Sequence, residues 1–466
     1  MVKSIFYIFI FCSLFSTVRA QDSWNVFLLD NWNPDTLLVS SNHMVYTDCW
    51  GFVQDGQEYA VIGSTEGTHF FKIGNDNKLH DVGFVRGRFS SAQVVHRDYK
   101  DYHGYLYAVC DEGPSSLQII DLHYLPDSIH VAVDNDTIMG RVHNIFIDTS
   151  SALLYACSFT AVVNNPSTLL TPMKVFSIAN PIDPVEVYSG PNDINLVHDA
   201  YVINDTAFLN CGFDGLRIYD FSNPTNPVWI GALTTYQDQG FNHSGWMSPD
   251  RKFYYFGDET SGKRIKKVNI ADLANPEITA IFGTDYQDLS IPHNMMVDNK
   301  LIFVAYYNEG FRVYDTRYQP PKEIAHYDTY PDVDPYKMDG AWGVYAKLPS
   351  GRILISDRKY GLFLFEFDAV VFNTVAPKEN FTFYPNPAHQ GEDVVFRFNE
   401  SKISTIEFEI YDKAGRIVYS NEYQNQDYWT FTNNLSAGTY AFSIKYKNYL
   451  KEDSYHYGQL VVIGKQ

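Results

Sequence analysis

The chain has 466 residues, and its 35 Lys and Arg residues against 55 Asp and Glu residues give a formal net charge of -20. This acidic balance excludes a nucleic-acid partner, which requires a basic surface, and it suits a soluble exported protein. Aromatic residues make up 16% of the chain. Because aromatic and β-branched residues favour strands and no long stretch has helical periodicity, we predict an all-β protein.

The first twenty residues have the features of a secretory signal peptide. Lys3 gives a positive start, the apolar run SIFYIFIFCSLFSTV follows, and Val18, Arg19 and Ala20 resemble an A-x-A cleavage site. We predict a signal peptide over residues 1–20, cleaved between Ala20 and Gln21. The apolar run is too short to span a bilayer, so we expect no transmembrane segment and an exported chain.

Four cysteines remain after this cleavage. They are too few for a disulfide scaffold in a chain of this length. Three of them occupy equivalent positions of successive repeats, where neighbouring sheets are about 10 Å apart and beyond disulfide reach. We therefore interpret all four as small buried apolar residues: Cys49, Cys110, Cys157 and Cys211.

A pattern recurs about every fifty residues along most of the chain. Each repeat contains an anchor residue, a following small or polar residue, and four short predicted strands, the third of which often ends in an acid, as in GLRIYD and GFRVYD. Four short strands at this period are typical of a propeller blade, which buries its faces only against other blades. We predict a seven-bladed β-propeller over residues 21–372, with six and eight blades as the alternatives. The seven anchors are Trp50, Arg97, His143, His198, His243, His293 and Trp342.

The last repeat ends after GLFLFEF and lacks an outer strand of its own. The segment WNVFLLDNWN, residues 24–33, precedes the first anchor and belongs to no other repeat. We predict that this segment supplies the missing strand and closes the ring of blades, which leaves only short, protected sheet edges.

Third strands such as LQIID and GLRIYD resemble LVIVD repeats. Over residues 24–368, the order of the motifs is similar to that of the choice-of-anchor B family of bacterial surface proteins: DCWGF, HRD, VHNIFID, VHDAYV, HSGW, DE, PHNMMV, GAWGVY and SGRILISD. Two features depart from the family. HRD at 96–98 stands where the family tends to have W-R-D, and TSG interrupts the acidic stretch after DE. The resemblance implies a cell-surface propeller and no particular chemistry.

The period of about fifty stops near residue 373. We predict a linker over residues 373–379 and a small β-sandwich over residues 380–466, from alternating strands separated by KAG and SAG turns. This tail resembles the type A C-terminal sorting domain of the type IX secretion system of Bacteroidota. The matching residues include Tyr384, Pro385, Asn386, Pro387, Tyr411, Asp412, Gly415, Leu435, Ala437, Gly438, Thr439 and Tyr440.

The resemblance of the tail implies handling by the type IX secretion machinery. The protein would pass through the periplasm, cross the outer membrane, and lose the tail on attachment or release. We therefore expect a secreted protein or one on the outer cell surface. The alternative interpretation of the tail is a carbohydrate-binding or fibronectin-like sandwich.

The anchors are the candidate functional residues, because the first strand of a blade lines the central channel of a propeller. If each anchor opens that strand, the anchors form one ring at one channel mouth, with the following residues as a second layer. Side-chain alternation turns one layer towards the channel and the other into the packing between blades, and the sequence does not decide which. The candidate ligand-binding residues are Trp50, Arg97, Asp98, His143, His198, Asp199, His243, His293 and Trp342. The hairpin after the second strand returns to the same mouth and carries an acid in six repeats: Glu66, Asp111 with Glu112, Asp214, Asp258 with Glu259, Glu309 and Asp357.

Convergent imidazoles with carboxylates nearby are the ligands that a divalent transition metal requires. The candidate metal ligands are His143, His198, His243 and His293, with Asp214, Asp258 and Glu309 nearby. A bound metal would activate water for hydrolysis, with Arg97 available to stabilise a developing anion. In the structural alternative, the acids belong to ordinary Asp-Gly and Glu-Gly hairpins and each His bonds the backbone of a neighbouring blade.

Three functions fit this sequence, and the fold chooses none of them. The first, which we favour, is a surface-displayed module that binds an unidentified ligand, glycan or protein without catalysis. The second is a metal-dependent hydrolase or lyase at the channel mouth, and the third is a structural, adhesin-like module. The sequence assigns no catalytic residue, and the only cofactor it suggests is a divalent metal ion.

Overall fold

The computed structural model describes residues 23–160, 170–284, 291–331, 338–367, 381–398, 403–413, 415–424, 428–448 and 453–464. Every regular element in these ranges is a β-strand, so the predicted all-β class is confirmed. Within the same ranges, no helix is long and apolar enough to cross a membrane. The predicted signal peptide, its cleavage site at Ala20 and Gln21, and the predicted linker at 373–379 lie outside the described residues.

Two short strands open the described chain, and antiparallel sheets follow. The two strands are β1 (Ser23–Trp24) and β2 (Val26–Trp32). The first sheet contains β3 (Tyr46–Gln54), β4 (Gln57–Ser64), β5 (Gly67–Ile73) and β6 (Leu79–Arg86). The second contains β7 (Arg97–Tyr102), β8 (Tyr105–Cys110), β9 (Leu117–Asp121) and β10 (His130–Asn135). The third contains β11 (Asn144–Asp148), β12 (Leu153–Phe159), β13 (Thr171–Ser177) and β14 (Val185–Ser189).

Four more sheets continue the same order. The fourth contains β15 (Asp199–Ile203), β16 (Thr206–Asn210), β17 (Leu216–Asp220) and β18 (Val228–Leu233). The fifth contains β19 (Asn242–Met247), β20 (Phe253–Asp258), β21 (Ile265–Asn269) and β22 (Glu277–Phe282). The sixth contains β23 (Met295–Asp298), β24 (Leu301–Ala305), β25 (Phe311–Asp315) and β26 (Lys322–Tyr327). The seventh contains β27 (Ala341–Tyr345), β28 (Ile353–Asp357) and β29 (Gly361–Phe367).

The two opening strands complete the last two sheets. Strand β2 lies beside β29 as the outer strand of the seventh sheet, so Val26–Trp32 supply the missing outer strand as predicted. The side chain of Asn31 reinforces this junction by donating hydrogen bonds to the carbonyls of Tyr360 and Leu362. Strand β1 pairs antiparallel with β26, Ser23 opposite Tyr327.

The first strands of the sheets contact one another in chain order, and β27 contacts β3, so the series of contacts returns to its start. Small four-stranded sheets in this arrangement are consistent with propeller blades. The space that the first strands enclose is called the channel below.

The core of this part of the chain lies between consecutive sheets. One apolar cluster joins Val109 of the second sheet to Ile145 of the third, and another joins Ile62 of the first sheet to Leu364 of the seventh. Both faces of each sheet are therefore covered, which explains why the central strands are apolar along their whole length. All four cysteines of the described chain are free and buried, as predicted.

The tail forms two further sheets around a core of its own that includes Phe396, Phe408, Trp429 and Phe442. Asn386 of the predicted sorting motif exchanges two hydrogen bonds with the backbone of the last tail strand, at Gln459 and Val461. One sheet contains β30 (Phe381–Tyr384), β32 (Asp393–Phe398) and β35 (Tyr428–Thr432). The other contains β31 (Ala388–His389), β33 (Ile403–Tyr411), β34 (Ile417–Gln424), β36 (Gly438–Asn448) and β37 (Asp453–Ile463).

Candidate functional site

Five histidines and one tryptophan form a closed series of ring contacts at the beginning of the first strands. Each comes from a different sheet, from the second to the seventh, and we call the six residues the histidine ring. The centroid distances are 4.1 Å for His96–His143, 4.2 Å for His143–His198, 4.2 Å for His198–His243, 4.3 Å for His243–His293, 3.9 Å for His293–Trp342 and 5.6 Å for Trp342–His96.

β-Bulges direct these side chains into the channel. In the fifth sheet the register shifts between Asn242 and Ser244, which makes His243 the extra residue. The seventh sheet shifts in the same way around Trp342. In the third sheet the amide of His143 donates to Cys157, although Asn144 is the residue paired with Cys157. Because a bulge interrupts side-chain alternation, it lets an anchor and the residue after it both face the channel.

The second sheet lacks this bulge, and the prediction for Arg97 is wrong as a result. Arg97 and Asp98 pair with Cys110 and Val109 without a register shift, so regular alternation places His96 and Asp98 towards the channel. The Arg97 guanidinium points the other way and donates to the carbonyls of Ser64 at 2.8 Å and Phe89 at 2.7 Å. His96 takes the place in the ring that the sequence analysis gave to Arg97. The sequence HRD indicates this arrangement, because residues two positions apart in a strand, here His96 and Asp98, face the same side.

Trp50 lies outside the histidine ring, although it lines the cavity of the channel described below. Trp50 lies in the middle of β3, where its indole donates a 2.7 Å hydrogen bond to Asp101 and its ring packs against Tyr345. The ammonium of Lys100 lies 4.4 Å from the centroid of the same ring. The histidine ring therefore receives no residue from the first sheet, whereas Trp342 of the seventh sheet belongs to it as predicted.

Four of the residues after the anchors line a cavity of about 40 Å³ in the channel: Asn144, Asp199, Ser244 and Asn294. Asp98 binds Lys100 at 3.0 Å and accepts a hydrogen bond from the amide of Ile145 at 2.7 Å. Burial raises the pKa of Asp199 to about 7. The second layer therefore combines carboxyl groups with a single buried ammonium.

Three of the hairpin acids reach the histidine ring. Asp111 accepts a hydrogen bond from Nδ1 of His143 at 2.7 Å. Glu112 accepts a hydrogen bond from the backbone amide of His96. Glu259 lies 3.6 Å from Nε2 of His243 and accepts a hydrogen bond from the hydroxyl of Tyr307. Carboxylates and imidazoles therefore meet at the second and fifth sheets.

The acids that the sequence analysis placed near the metal are arranged differently. Asp258 is fully buried away from the ring, where it binds Lys266 at 2.6 Å and the hydroxyl of Tyr236 at 2.8 Å. Glu309 lies 3.8 Å from Arg312 within its own turn, and Asp214 lies in the turn between Cys211 and Gly215. The carboxylate that reaches the imidazoles is Glu259, one residue beyond Asp258.

One group of ligand atoms in the described residues has the spacing of a metal site. One atom each from His198, His243 and Glu259 lie within 4.8 Å of one another. Two imidazoles and a glutamate are a known zinc ligand set, in which bond lengths of about 2.0–2.1 Å bring tetrahedral ligands to about 3.4 Å from one another. The three side chains fit a metal ion if their ligand atoms approach one another by up to about 1.4 Å.

Most imidazoles of the ring are neutral at pH 7. Burial lowers the pKa of His243 to about 4. Burial, followed by neighbouring imidazoles, holds the pKa values of His96, His198 and His293 well below the usual range. His143 is the exception: burial lowers its pKa, but the hydrogen bond and charge of Asp111 outweigh that effect and the pKa is raised. Neutral imidazoles bind a metal without first losing a proton.

Several buried nitrogen atoms of the ring have no hydrogen-bond partner in the described chain. They are Nδ1 of His96, Nδ1 of His198, Nδ1 of His243 and Nε1 of Trp342. His293 differs, because its Nδ1 donates to the carbonyl of Trp342 at 2.7 Å. An unpaired buried polar group costs about 1–3 kcal/mol, so this cluster indicates a place where a ligand completes the bonding.

Solved structures similar to this chain share little sequence with it. The extracellular domain described for the one component system BT4673 of B. thetaiotaomicron is 12% identical over 93% of this chain and 60% of that chain, with a TM-score of 0.46. That of the hybrid two component system BT3049 of the same organism is 13% identical over 95% and 58%, with a TM-score of 0.49. The chain thus spans about 60% of the length of these structures. The computationally designed Ika8 protein is 9% identical over 68% and 82%, with a TM-score of 0.44.

The tail is the part of the chain that a known family covers. No curated protein matches the chain. Residues 382–453 match the family described as a secretion system C-terminal sorting domain, which agrees with the resemblance of the tail to type IX sorting domains. A sorting domain of this kind directs a protein out of the cell, and this protein is therefore secreted or displayed at the cell surface.

Proposed function

We propose that this protein is an exported seven-bladed β-propeller that acts as a binding module, with a divalent transition-metal ion held by its histidine ring. Seven sheets of the described chain and the closed series of first-strand contacts support the propeller over residues 21–372. The two tail sheets around one core support a sorting β-sandwich over residues 380–466. The motif order supports kinship with LVIVD-repeat proteins of the choice-of-anchor B family.

One observation carries the metal proposal: one ligand atom each from His198, His243 and Glu259 lie within 4.8 Å of one another. Neutral imidazole suits zinc, copper, iron and nickel better than calcium or magnesium, which prefer oxygen ligands. The contact between Glu259 and Tyr307 fixes the position of the carboxylate, as partners of metal ligands do in known sites.

The second candidate function is a metal-dependent hydrolase or lyase at the same site. Three protein ligands leave a fourth position for water or substrate, which is the arrangement of catalytic rather than structural zinc sites. Arg97 is not available to stabilise an anion there, because its guanidinium is bonded to the backbone of the first and second sheets. Glu112, whose pKa burial raises to about 7, is a described acid at the ring that such a reaction would use, and the binding module remains the function that we favour.

The metal content of the purified chain tests this proposal. The full mature chain is purified without added metal, and bound elements are measured by mass spectrometry. We expect close to one zinc, copper, manganese or iron ion per chain, and its loss in the double variant His198→Ala/His243→Ala. His69→Ala serves as the matched control, because His69 is a buried histidine bonded to Ser64 in the first sheet.

Glu259→Gln is a second variant that keeps the shape of the site and removes its charge. We expect it to bind the metal at least tenfold more weakly while its melting temperature without metal stays near that of the wild type. A saturating metal should also raise the melting temperature, since ligand at about 100 times its Kd adds about 2.7 kcal/mol. No bound transition metal, together with unchanged melting when metals are added back, would refute the metal site.

A further inference from the structure

A buried arginine without a carboxylate partner lies beside the histidine ring. Arg358 is 5% exposed, and its guanidinium carbon lies 4.1 Å from the centroid of the Trp342 ring. Nη1 donates to the carbonyl of Met338 at 3.0 Å, whereas Nε has no partner in the described chain. The carboxylates of Asp339, Glu259 and Glu112 act on this guanidinium through their charge, and no ion pair with Arg358 is found among the described residues. A buried cation is costly unless it is paired, so this position calls for an anion.

Two other unpaired nitrogens belong to the same part of the ring. Nε1 of Trp342 can only donate a hydrogen bond, and Nδ1 of His96 donates in one of the two neutral tautomers. Both side chains are 7% exposed, and their rings are in edge contact. The guanidinium and the indole therefore present only donors, and the imidazole presents a third in its Nδ1–H tautomer, which is the chemistry that recognises an oxyanion.

The metal ligands and this group of donors occupy different arcs of one ring. His198, His243 and Glu259 come from the fourth and fifth sheets, whereas Trp342 and Arg358 come from the seventh sheet and His96 precedes the second. The metal would bring two positive charges and Arg358 one, beside the carboxyl groups of Asp111, Glu112 and Glu259. An anion held between the metal and Arg358 would contact both cations, and its oxygen would fill the fourth position of the metal.

We propose that the histidine ring binds the carboxylate or phosphate group of a small organic anion, with Arg358 as its anchor and the metal as its second contact. The metal half rests on the proposed function, while the Arg358 half stands on its own residues. Arginine suits this role because its planar fork can make two parallel hydrogen bonds to either group.

An exposed aromatic residue near the ring indicates the chemistry of the rest of the ligand. Phe213 is 73% exposed and packs against Phe241, which in turn contacts His198. An apolar or aromatic portion of the ligand would cover Phe213 and remove its surface from water. The ligand class is therefore a small carboxylate or phosphate monoester with an apolar remainder.

The experiment titrates the cobalt-loaded full mature chain with acetate, benzoate and inorganic phosphate. Calorimetry measures anion binding, and the visible absorption of Co²⁺ reports an anion that enters its coordination sphere. We expect at least one anion to bind and shift the spectrum, benzoate more tightly than acetate if the carboxylate is recognised, and phosphate best if the phosphate group is. Arg358→Met should weaken that binding at least tenfold and leave cobalt stoichiometry unchanged.

Controls separate the proposal from loss of folding and from failure of the metal site. Arg88→Met removes an exposed arginine paired with Asp134 and should bind anions as the wild type does. Arg358→Lys keeps the charge but not the fork, and should give an intermediate affinity even if Arg358→Met fails to fold. If cobalt does not bind at all, the metal site is refuted, and the same titrations of metal-free protein still test Arg358. Equal anion affinity in the wild type and Arg358→Lys, or no binding of the three anions to the wild type, would overturn the proposal.

Discussion

His143 differs from the other histidines of the ring because a carboxylate holds its Nδ1 hydrogen. The bond to Asp111 is 2.7 Å long, and it raises the pKa of His143 against the effect of burial. A histidine whose pKa is raised on folding stabilises the native state below its unfolded pKa of about 6.5, and this contribution is lost as the pH rises through the folded pKa. His143 therefore favours a charged imidazole where its neighbours favour neutral ones.

Replacing Asp111 should expose this difference. In Asp111→Asn we expect the pKa of His143 to fall, because only the charges of Glu259 and Asp199 then oppose burial, and the loss of stability to be larger at pH 5.5 than at pH 8.5. Histidine NMR titration and urea unfolding at the two pH values measure both effects. Asp121→Asn removes an equally short contact, to His123, on the exposed surface, and should change stability by less than about 0.5 kcal/mol at either pH. An unchanged pKa of His143 would contradict the assignment.

Asp258 and Lys266 form an ion pair that is completely shielded from water. Both side chains are 0% exposed, and the atoms lie 2.6 Å apart. Lys266→Met should lower the free energy of unfolding by about 3–5 kcal/mol, because it leaves a buried carboxylate uncompensated. Lys347→Met removes an exposed pair, with Asp298, and should cost less than about 1 kcal/mol. Urea denaturation compares the two variants, and similar losses in both would show that Asp258 is not held as described.

At the residue scale the sequence identifies the histidines, but not the carboxylate that joins them. His143, His198, His243, His293 and Trp342 are visible because each stands before a small or polar residue at a regular interval. Asp258 and Glu259 are adjacent acids. Only the path of the chain after β20 decides which of them binds Lys266 and which reaches the imidazoles. Arg358 has no equivalent in the other repeats, so the repeat pattern gives no reason to select it.

At the scale of elements, the outer strand β2 joins the seventh sheet to the first. The Trp32 ring at its end lies 4.8 Å from Phe71, 4.7 Å from His69 and 5.8 Å from Tyr46, all three in the first sheet. The Trp32 side chain therefore links the outer strand of the seventh sheet to the first sheet.

Trp32→Ala tests this junction. The side chain is partly buried, so we expect a loss of about 2 kcal/mol in the free energy of unfolding from the removed apolar contacts. Trp229→Ala is the matched control, since Trp229 lies on the outer strand β18 and is 54% exposed. Its effect should stay within about 1 kcal/mol. Equal midpoints of urea unfolding for the two variants would argue against the role of Trp32.

The strands themselves could be predicted because the repeat fixes their number and order. The β-bulges at His243 and Trp342 could not, because an extra residue in a strand leaves no mark on composition or period. Strict alternation assigns only one of two adjacent residues to the channel, whereas the bulged strands present both. The unbulged second sheet obeys alternation, and for that reason His96 replaces Arg97.

At the scale of the whole molecule, the ring should keep its metal in mildly acidic surroundings. Surface histidines protonate near pH 6.5, but burial lowers the pKa of His243 to about 4. A lowered histidine pKa stabilises the folded state above about 6.5, and this contribution falls away as the pH drops towards 4. We expect metal content after dialysis to stay nearly constant from pH 7.5 to about 5.5 and to fall below that. Loss centred near pH 6.5 would contradict the buried site.

The pairing of β1 with β26 sets an order of events during synthesis and export. Ser23 and its partner Tyr327 are about 300 positions apart, and a chain that leaves the cell's interior with its N-terminus first delivers them far apart in time. Strand β1 must then wait for β26 of the sixth sheet and strand β2 for β29 of the seventh, and the sorting tail emerges later still. The sorting tail therefore emerges only after the strands that complete the last two sheets. A chain truncated before β26 would leave β1 and β2 unpaired and would also lack the sorting domain.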